Sequence, residues 1–457
     1  MKTTSAQVVI CGAGIAGISA AYFLAVQQGV KEIILVDERP PLSLTSDHST
    51  ECYRNWWPGP GDAMVAMMNR SIDWLEKLAS LSGNVFHLNR RGYLYCSADL
   101  QQVERMQQQA QEISRLGAGE LRIHNRTSCK DGYQPDARLG WAEAPAGADL
   151  LLNQQLIRQH YPFLSQDVIA ALHVRRAGWF SAQQLGMYLL DQARQAGVKV
   201  VASKITGIEL QAGQVHNIVL DSGDQLGAQA VVLAAGPFLD EIANFLGIQL
   251  PIHHELHLKA AFKDSAAILP RQAPLVIWND PQRLDWSPEE AEYLRQDTEL
   301  SYLLDELPAG VHTRPEGEGG SQVDLLLWEY KTRVIKPVYP TPEDHQYLEI
   351  SLQGLSRMIP GMRTYLNRLP QPRYDGGYYT KTPENRPLIG KLPVPGAYVI
   401  GALSGFGLMA ACAAGELLAL QLTGADLPAY APAFSLDRYL DPDYVKATQD
   451  SQDSGQL

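Results

Sequence analysis

Apolar positions along this chain repeat with two different periods, and the switches between them outline its elements. Residues 8–10 form a short continuous apolar run, as a strand covered on both faces requires. From 14 to 28 the period becomes helical, with Ile15, Ile18, Tyr22 and Ala25 on one side. A second apolar run at 32–36 completes a strand–helix–strand unit. Helical spacing returns at 63–80, 100–116 and 181–196, the last followed by Gly197, a common helix stop. Strand patterns fall at 92–96, 198–202, 214–220 and 230–234, and the last runs into Ala235-Gly236-Pro237. The stretch 117–148, rich in Gly, Pro and Asp, reads as loop. From about 251 to 349 the alternation is that of an antiparallel sheet, as in Leu325-Leu326-Leu327-Trp328-Glu329-Tyr330, interrupted by an acidic helical insertion at 287–307. A strand at 397–400 and a helix at 407–422 then restore the N-terminal pattern.

This order predicts an α/β protein with a Rossmann-like nucleotide domain assembled from three segments, 1–90, 152–245 and 371–440. The stretches between, 91–151 and 246–370, would form an α+β substrate domain with a mostly antiparallel sheet, leaving 441–457 as a flexible, polar tail. A length of 457 residues accommodates both units, and 45% hydrophobic with 19% charged residues is ordinary for a globular protein. The formal charge of −12 argues against a nucleic-acid partner. Five widely spaced cysteines, without a CxxC or a Cys/His cluster, suggest neither a disulfide framework nor a metal site. Together with a first strand that leaves no room for a signal peptide, they lead us to expect a cytoplasmic protein. The apolar segment 397–422 is broken by glycines and carries Glu416, so it reads as a buried strand and helix, with no integral membrane segment expected.

The chemistry begins at Gly12-Ala13-Gly14-Ile15-Ala16-Gly17. Gly12 allows the tight turn after the first strand, Gly14 lets backbone approach a pyrophosphate, and Gly17 lets helix pack on strand. The helix start at Ile15 and Ala16 offers free N–H groups to an anion. Asp37, twenty residues after Gly17, is spaced to accept ribose hydroxyls, with Glu38 as its neighbour. The motif alone does not choose between FAD and NAD.

Four further stretches accompany it: the loop from Pro40-Pro41 to Gly59, Ala234-Ala235-Gly236, Tyr379-Thr380-Lys381-Thr382-Pro383, and Ser404-Gly405-Phe406-Gly407. With these, the whole chain resembles the D-amino-acid oxidase superfamily of FAD enzymes, most closely its sarcosine oxidase and glycine oxidase branch. The resemblance implies FAD in a glutathione-reductase-type domain and a substrate sheet covering one flavin face. It extends the cofactor-binding set to Ser46, His48 and Ser49 in the loop, and to Ile205, Ala235 and Gly236 in the middle. Gly405, Phe406, Gly407, Leu408 and Met409 complete the set at the far end, where a helix N-terminus would stabilise charge on the reduced ring.

Several positions depart from the family. Monomeric sarcosine oxidases attach flavin through a cysteine where this chain has Gly377, so FAD is expected to be non-covalent. A link through His48, near the attachment histidine of dimethylglycine dehydrogenase relatives, is the alternative. The arginine and lysine that hold the substrate carboxylate are replaced by Asn55 and Met409, and the oxygen-activating lysine by Leu327. Arg54 could still grip a carboxylate. Lys331 and Tyr330 occupy positions expected over the flavin, and His253 opens a strand with His254, Glu255 and His257 at the substrate entrance. Strand alternation puts His253, Glu255 and His257 on one face, open to a metal, substrate or purely structural reading. Trp56, Trp57 and Trp328 offer flat groups for an amine, and Arg386 either meets substrate or braces a turn.

The expected activity is oxidation of the C–N bond of an amine or amino acid by hydride transfer to flavin N5, followed by imine hydrolysis. Oxygen or an electron carrier would be the acceptor. The alternatives are 2-hydroxy-acid oxidation, with His253 or His257 as base, and a flavin-bound assembly factor without catalysis.

Overall fold

A computed structural model describes residues 4–125, 132–135, 141, 143–317 and 322–450. Two large sheets organise the molecule. In the first, five strands run parallel in the order Ala397–Gly401, Gln225–Leu233, Thr4–Cys11, Ile33–Asp37 and Lys199–Ala202. Antiparallel strands extend it, Ile205–Gln211 and Gln214–Leu220 beyond the start of Gln225–Leu233, and Leu388–Lys391 beside Ala397–Gly401. The continuous apolar runs now have their reason. Val8 and Ile10 face a core that contains the helices Ile15–Tyr22 and Gly407–Thr423, while Val9 and Cys11 face the opposite core.

The second sheet has nine strands, in the order Arg373–Lys381, His253–Lys263, Val323–Leu327, His312–Glu316, Leu275–Trp278, Tyr93–Ser97, Ala170–Val174, Ala148–Leu151 and Leu121–His124. All its pairings are antiparallel except Leu275–Trp278 with Tyr93–Ser97 and Leu121–His124 with Ala148–Leu151. The amphipathic helix Tyr347–Met358 buries Leu348, Leu352 and Leu355 in the core that also holds Leu256, Leu258 and Leu326. A short ribbon, Cys52–Arg54 with Ala177–Trp179, lies outside both sheets.

The differences from the sequence reading lie mostly where pairing partners are distant. Residues 152–245 and 371–440 each give a strand to the nine-stranded sheet, Ala170–Val174 and Arg373–Lys381, so the three-segment boundaries do not coincide with sheet membership. The loop expected over 117–148 contains the strand Leu121–His124, half-exposed and held by its parallel neighbour; 126–131, 136–140 and 142 lie outside the described residues. The antiparallel run breaks off at Leu327, before Trp328 and Glu329. The acidic insertion divides into a helix, Pro288–Gln296, started by a capping box of Ser287 and Glu290, and a single tight turn at Ser301–Leu304. The tail expected to be flexible contains the helix Pro442–Asp450, and 451–457 lie outside the described residues.

Among the described residues, one segment, Ser404–Thr423, is long and apolar enough to cross a membrane by composition. Here it is a core element: 67% of it is buried, and Gly415 lies against Ser19 of the first helix, whose hydroxyl donates to the Ala411 carbonyl at 2.6 Å.

Candidate active site

A groove of ≈ 290 Å³ runs over the carboxyl ends of the parallel strands. Its middle is made by the first turn. Gly12 has φ +116°, and a Cβ there would stand 2.4 Å from the Ala234 carbonyl oxygen; one on Gly17 would stand 1.9 Å from the Gly12 oxygen. These two glycines let strand, turn and helix pack, while Gly14, Ile15 and Ala16 line the groove itself. The Ile15 N–H donates to Ser46 Oγ at 3.0 Å, and the Ala13 N–H to Asp37 Oδ2 at 2.7 Å. The helix N-terminus therefore already aims its donors at oxygen acceptors. Glu38, Ile205, Ala235 and Gly236 line the same groove, as do Tyr378, Thr380, Ser404 and Gly407 from the C-terminal end.

On the other side of the turn 404–407 lies a smaller cavity of ≈ 50 Å³. Gly405, Phe406 and Met409 form one wall, and Arg54, Trp57, Tyr93, Leu275 and Leu327 others. Its polar groups are Arg54, His257, His312, Glu329 and Tyr379, with Thr50 and Cys52. Arg54 is buried, donates Nε–H to the Trp56 carbonyl at 3.1 Å and packs its guanidinium 4.4 Å from the Trp57 ring centre. His257 stacks on Tyr379 at 3.9 Å and lies 3.1 Å from both Glu255 and Glu329. Burial alone would make His257 less basic, but the two carboxylates outweigh it and raise its pKa. His312 is the converse: burial lowers it to about 4, and its Nδ1–H donates to the Gly310 carbonyl at 2.7 Å. Burial likewise raises the Cys52 thiol, although Arg314 works against it.

The family profile for FAD dependent oxidoreductases (DAO) matches residues 7–421, nearly the whole chain. The chain belongs to this family. Among solved structures it is similar to L-proline dehydrogenase from P. horikoshii, with a TM-score of 0.73, 19% identity, and coverage of 96% of this chain and 99% of that one. Glycine oxidase from Geobacillus kaustophilus superposes with a TM-score of 0.70 at 14% identity, covering 95% of this chain and 99% of its own. By sequence it is 23% identical over 91% of its length to the mitochondrial pyruvate dehydrogenase phosphatase regulatory subunit of Mus musculus, and spans 41% of that protein.

The residues present fit the family's cofactor. A dinucleotide requires a side-chain-free strip beside a helix N-terminus, and Gly14 supplies it: a Cβ there would meet nothing nearer than Ser46 Oγ at 3.4 Å. Of the residues expected to hold it, Gly12 lines the groove as well as packing beneath it, whereas Gly17 only packs. Gly405, Phe406 and Met409 face the smaller cavity instead, and Leu408 is buried in the core. His48 lines neither cavity; its Nδ1 lies 2.5 Å from Asp375 Oδ1, and the Ser49 carbonyl accepts from Lys259 Nζ at 2.8 Å. Gly377 faces this loop, since a Cβ there would lie 3.4 Å from the His48 Cβ.

Three of the four proposed substrate residues are elsewhere. Because the strand ends at Leu327 and the chain bends at Tyr330 and Lys331, neither reaches the cavity. The Tyr330 hydroxyl donates to Asp344 at 3.2 Å inside the second core, and Lys331 lies 5.0 Å from the Tyr302 ring. His253 sits at the half-exposed strand end, 3.1 Å from Glu255, outside both cavities. Arg54 does line the cavity. Trp57 lines it too, but Trp56 does not, and Trp328 is fully buried with its indole N–H on the Pro308 carbonyl, so the three tryptophans form no cage. Arg386 reaches the Gly59 carbonyl at 3.0 Å, bracing the loop. The sequence reading missed Glu329, His312, Tyr93 and Cys52. Alternation from Leu325 puts Glu329 on the face of Leu327, a signal that could have singled it out. Among the described residues no group of three or more His, Cys, Asp or Glu side chains is arranged to hold a metal ion.

Proposed function

We propose that this flavoenzyme oxidises the C–N bond of a small amino acid bound in the cavity beside Gly405–Phe406. The observation that carries this reading is the presence of a cation and a carboxylate, buried Arg54 and half-buried Glu329, in the wall of one small cavity. Arg54 would hold the substrate carboxylate by a charge-assisted pair, and Glu329 would receive its ammonium proton. Trp57, Tyr93, Leu275, Leu327 and Met409 exclude water from the nitrogen, favouring the neutral amine from which the C–H bond is oxidised. FAD, held by the groove from Gly12 to Gly407, supplies the two-electron acceptor when bound. We assign non-covalent binding, because Gly377 offers no nucleophile and the His48 Nδ1 faces Asp375. Acid precipitation should therefore leave the flavin in the supernatant. With Leu327 where a lysine would stand, we assign an electron carrier as final acceptor.

The test is anaerobic mixing of FAD-loaded protein with a panel of amino acids and N-alkyl amino acids. Bleaching of the visible flavin absorbance by some of them, abolished in Arg54→Leu, is expected. A panel that leaves the colour unchanged, while dithionite bleaches it, would overturn the assignment. That result would favour a second reading, a flavin-bound regulatory component without turnover, which the similarity to the phosphatase regulatory subunit supports.

A further inference from the structure

Resting on the reading above, we propose that Glu255, outside the cavity, is a positioning residue: it holds His257 as an imidazolium whose second nitrogen fixes the ionised Glu329 at the cavity wall. His257 Nε2 lies 3.1 Å from Glu255 Oε2, and Nδ1 lies 3.1 Å from Glu329 Oε1. Ionised carboxylates only accept, and a neutral imidazole has a single N–H. Nε2 hydrogen-bonds Glu255, whereas Nδ1 and Glu329 Oε1 stand close without hydrogen-bond alignment; two unprotonated lone pairs 3.1 Å apart would repel, so the group carries one extra proton. Glu255 does not hold it, because Lys381 Nζ stands 2.6 Å from Oε2 and His253 Nε2 stands 3.1 Å from Oε1. The proton is left to the ring and to Glu329, and the first carboxylate draws it to the ring.

The fold builds this arrangement from one strand and its neighbour. His253, Glu255 and His257 alternate along His253–Lys263 and so share a face. Across the ladder, Lys381 stands opposite His253, Tyr379 opposite Glu255, and Gly377 opposite His257. Gly377 presents no side chain there, and the His257 ring tilts onto Tyr379, whose plane is within 18° of its own. The ring cannot rotate without losing that stack and both carboxylates. The charged or titratable groups around it are Glu255, Glu329, Lys381 and Tyr379, with Arg54, Cys52, Tyr93 and His312 lining the same cavity.

The consequence is a charge count. With His257 positive, Glu329 negative and Arg54 positive, the cavity is short of one negative charge. It therefore takes an amino acid best as the anion, with its carboxylate charged and its amine neutral. A substrate arriving as a zwitterion passes one ammonium proton to Glu329, which hands it on to water and ends ionised, and no electron moves in that step.

Two measurements test this. In FAD-loaded protein labelled at histidine, the His257 ring nitrogens should both be protonated at pH 7. Their titration midpoint should fall by about one unit or more in Glu255→Gln, as loss of an adjacent opposite charge predicts. The pH dependence of anaerobic flavin bleaching should move with that midpoint, and Glu255→Asp should restore part of it. A wild-type His257 with one bare nitrogen at pH 7 overturns the proposal. So does a Glu255→Gln midpoint equal to wild type, or a bleaching profile that stays put while the midpoint moves. If no amino acid bleaches wild-type protein, the functional reading itself fails, whatever the ring's protonation.

Discussion

Two alanine substitutions one turn apart should separate the packing of the nucleotide fold from the space it leaves for FAD. At Gly17 a Cβ would lie 1.9 Å from the Gly12 carbonyl oxygen and 3.3 Å from the Ala234 Cβ, where ordinary contact starts near 3.4 Å. The obstacle is backbone, and Gly12 is itself tied by its N–H to the Val36 carbonyl at 2.8 Å. Strand or helix must therefore move by more than an ångström, and the cost should reach or exceed the ~1–3 kcal/mol typical of overpacking. Gly14→Ala meets only Ser46 Oγ, at 3.4 Å, and the Gly14 backbone at φ −72°, ψ 178° suits alanine. The protein without FAD should thus be as stable as wild type, within about 0.5 kcal/mol. Its methyl group, however, occupies the groove where the diphosphate is proposed to lie. Flavin affinity should fall about 10- to 100-fold, equivalent to about 1.4–2.8 kcal/mol. Urea unfolding of flavin-free protein and fluorescence titration with FAD measure the two effects separately. Gly14→Ala binding FAD like wild type, or Gly17→Ala matching wild-type stability, would refute the division of labour.

Other consequences follow from the buried charges and helix contacts. Burial lowers His312 to about 4 and, with Arg175 nearby, His173 to about 3, against about 6.5 in the unfolded chain. The unfolded state then binds more protons, so stability should be complete above about pH 6.5 and decline as pH falls towards 4; a urea midpoint unchanged over that range would contradict it. Burial would raise Asp375, but His48 and Lys259 hold it at about 2. Its contribution is present above the unfolded value of about 3.9 and lost as pH falls through 2, so Asp375→Asn should destabilise at pH 6 and converge with wild type near pH 2. Gly415→Ala places a Cβ 2.3 Å from Ser19 Oγ and 2.8 Å from the Ser19 backbone, and should cost ~1–3 kcal/mol in thermal or urea unfolding. Ser19→Ala removes only the bond to Ala411, about 0.5–1.5 kcal/mol, and the double variant should be less than additive because one clash is relieved.

Elements carried by local pattern were legible from residues alone. The helices at 63–80 and 181–196, the glycine turn, and the closing strand and helix follow from periodicity and from conformations that side chains forbid. The same holds for the groove-lining residues Gly12, Gly14, Ile15 and Ala16, whose spacing is a property of one short turn, whereas Ala235 and Gly236 came from the family resemblance. What the tertiary structure decided is what depends on partners far away in the chain. Leu121–His124 is a strand because Ala148–Leu151 lies beside it, and 442–450 is a helix despite its polar composition. The second cavity is of this kind throughout. Glu329 keeps the face of Leu327, the bend at Tyr330 and Lys331 carries Lys331 away, and Gly377 leaves the place where His257 meets Tyr379. Period-two alternation can say which face a side chain takes, but the point where a strand stops, and what then stands opposite, is settled by the neighbouring strands and the packing behind them.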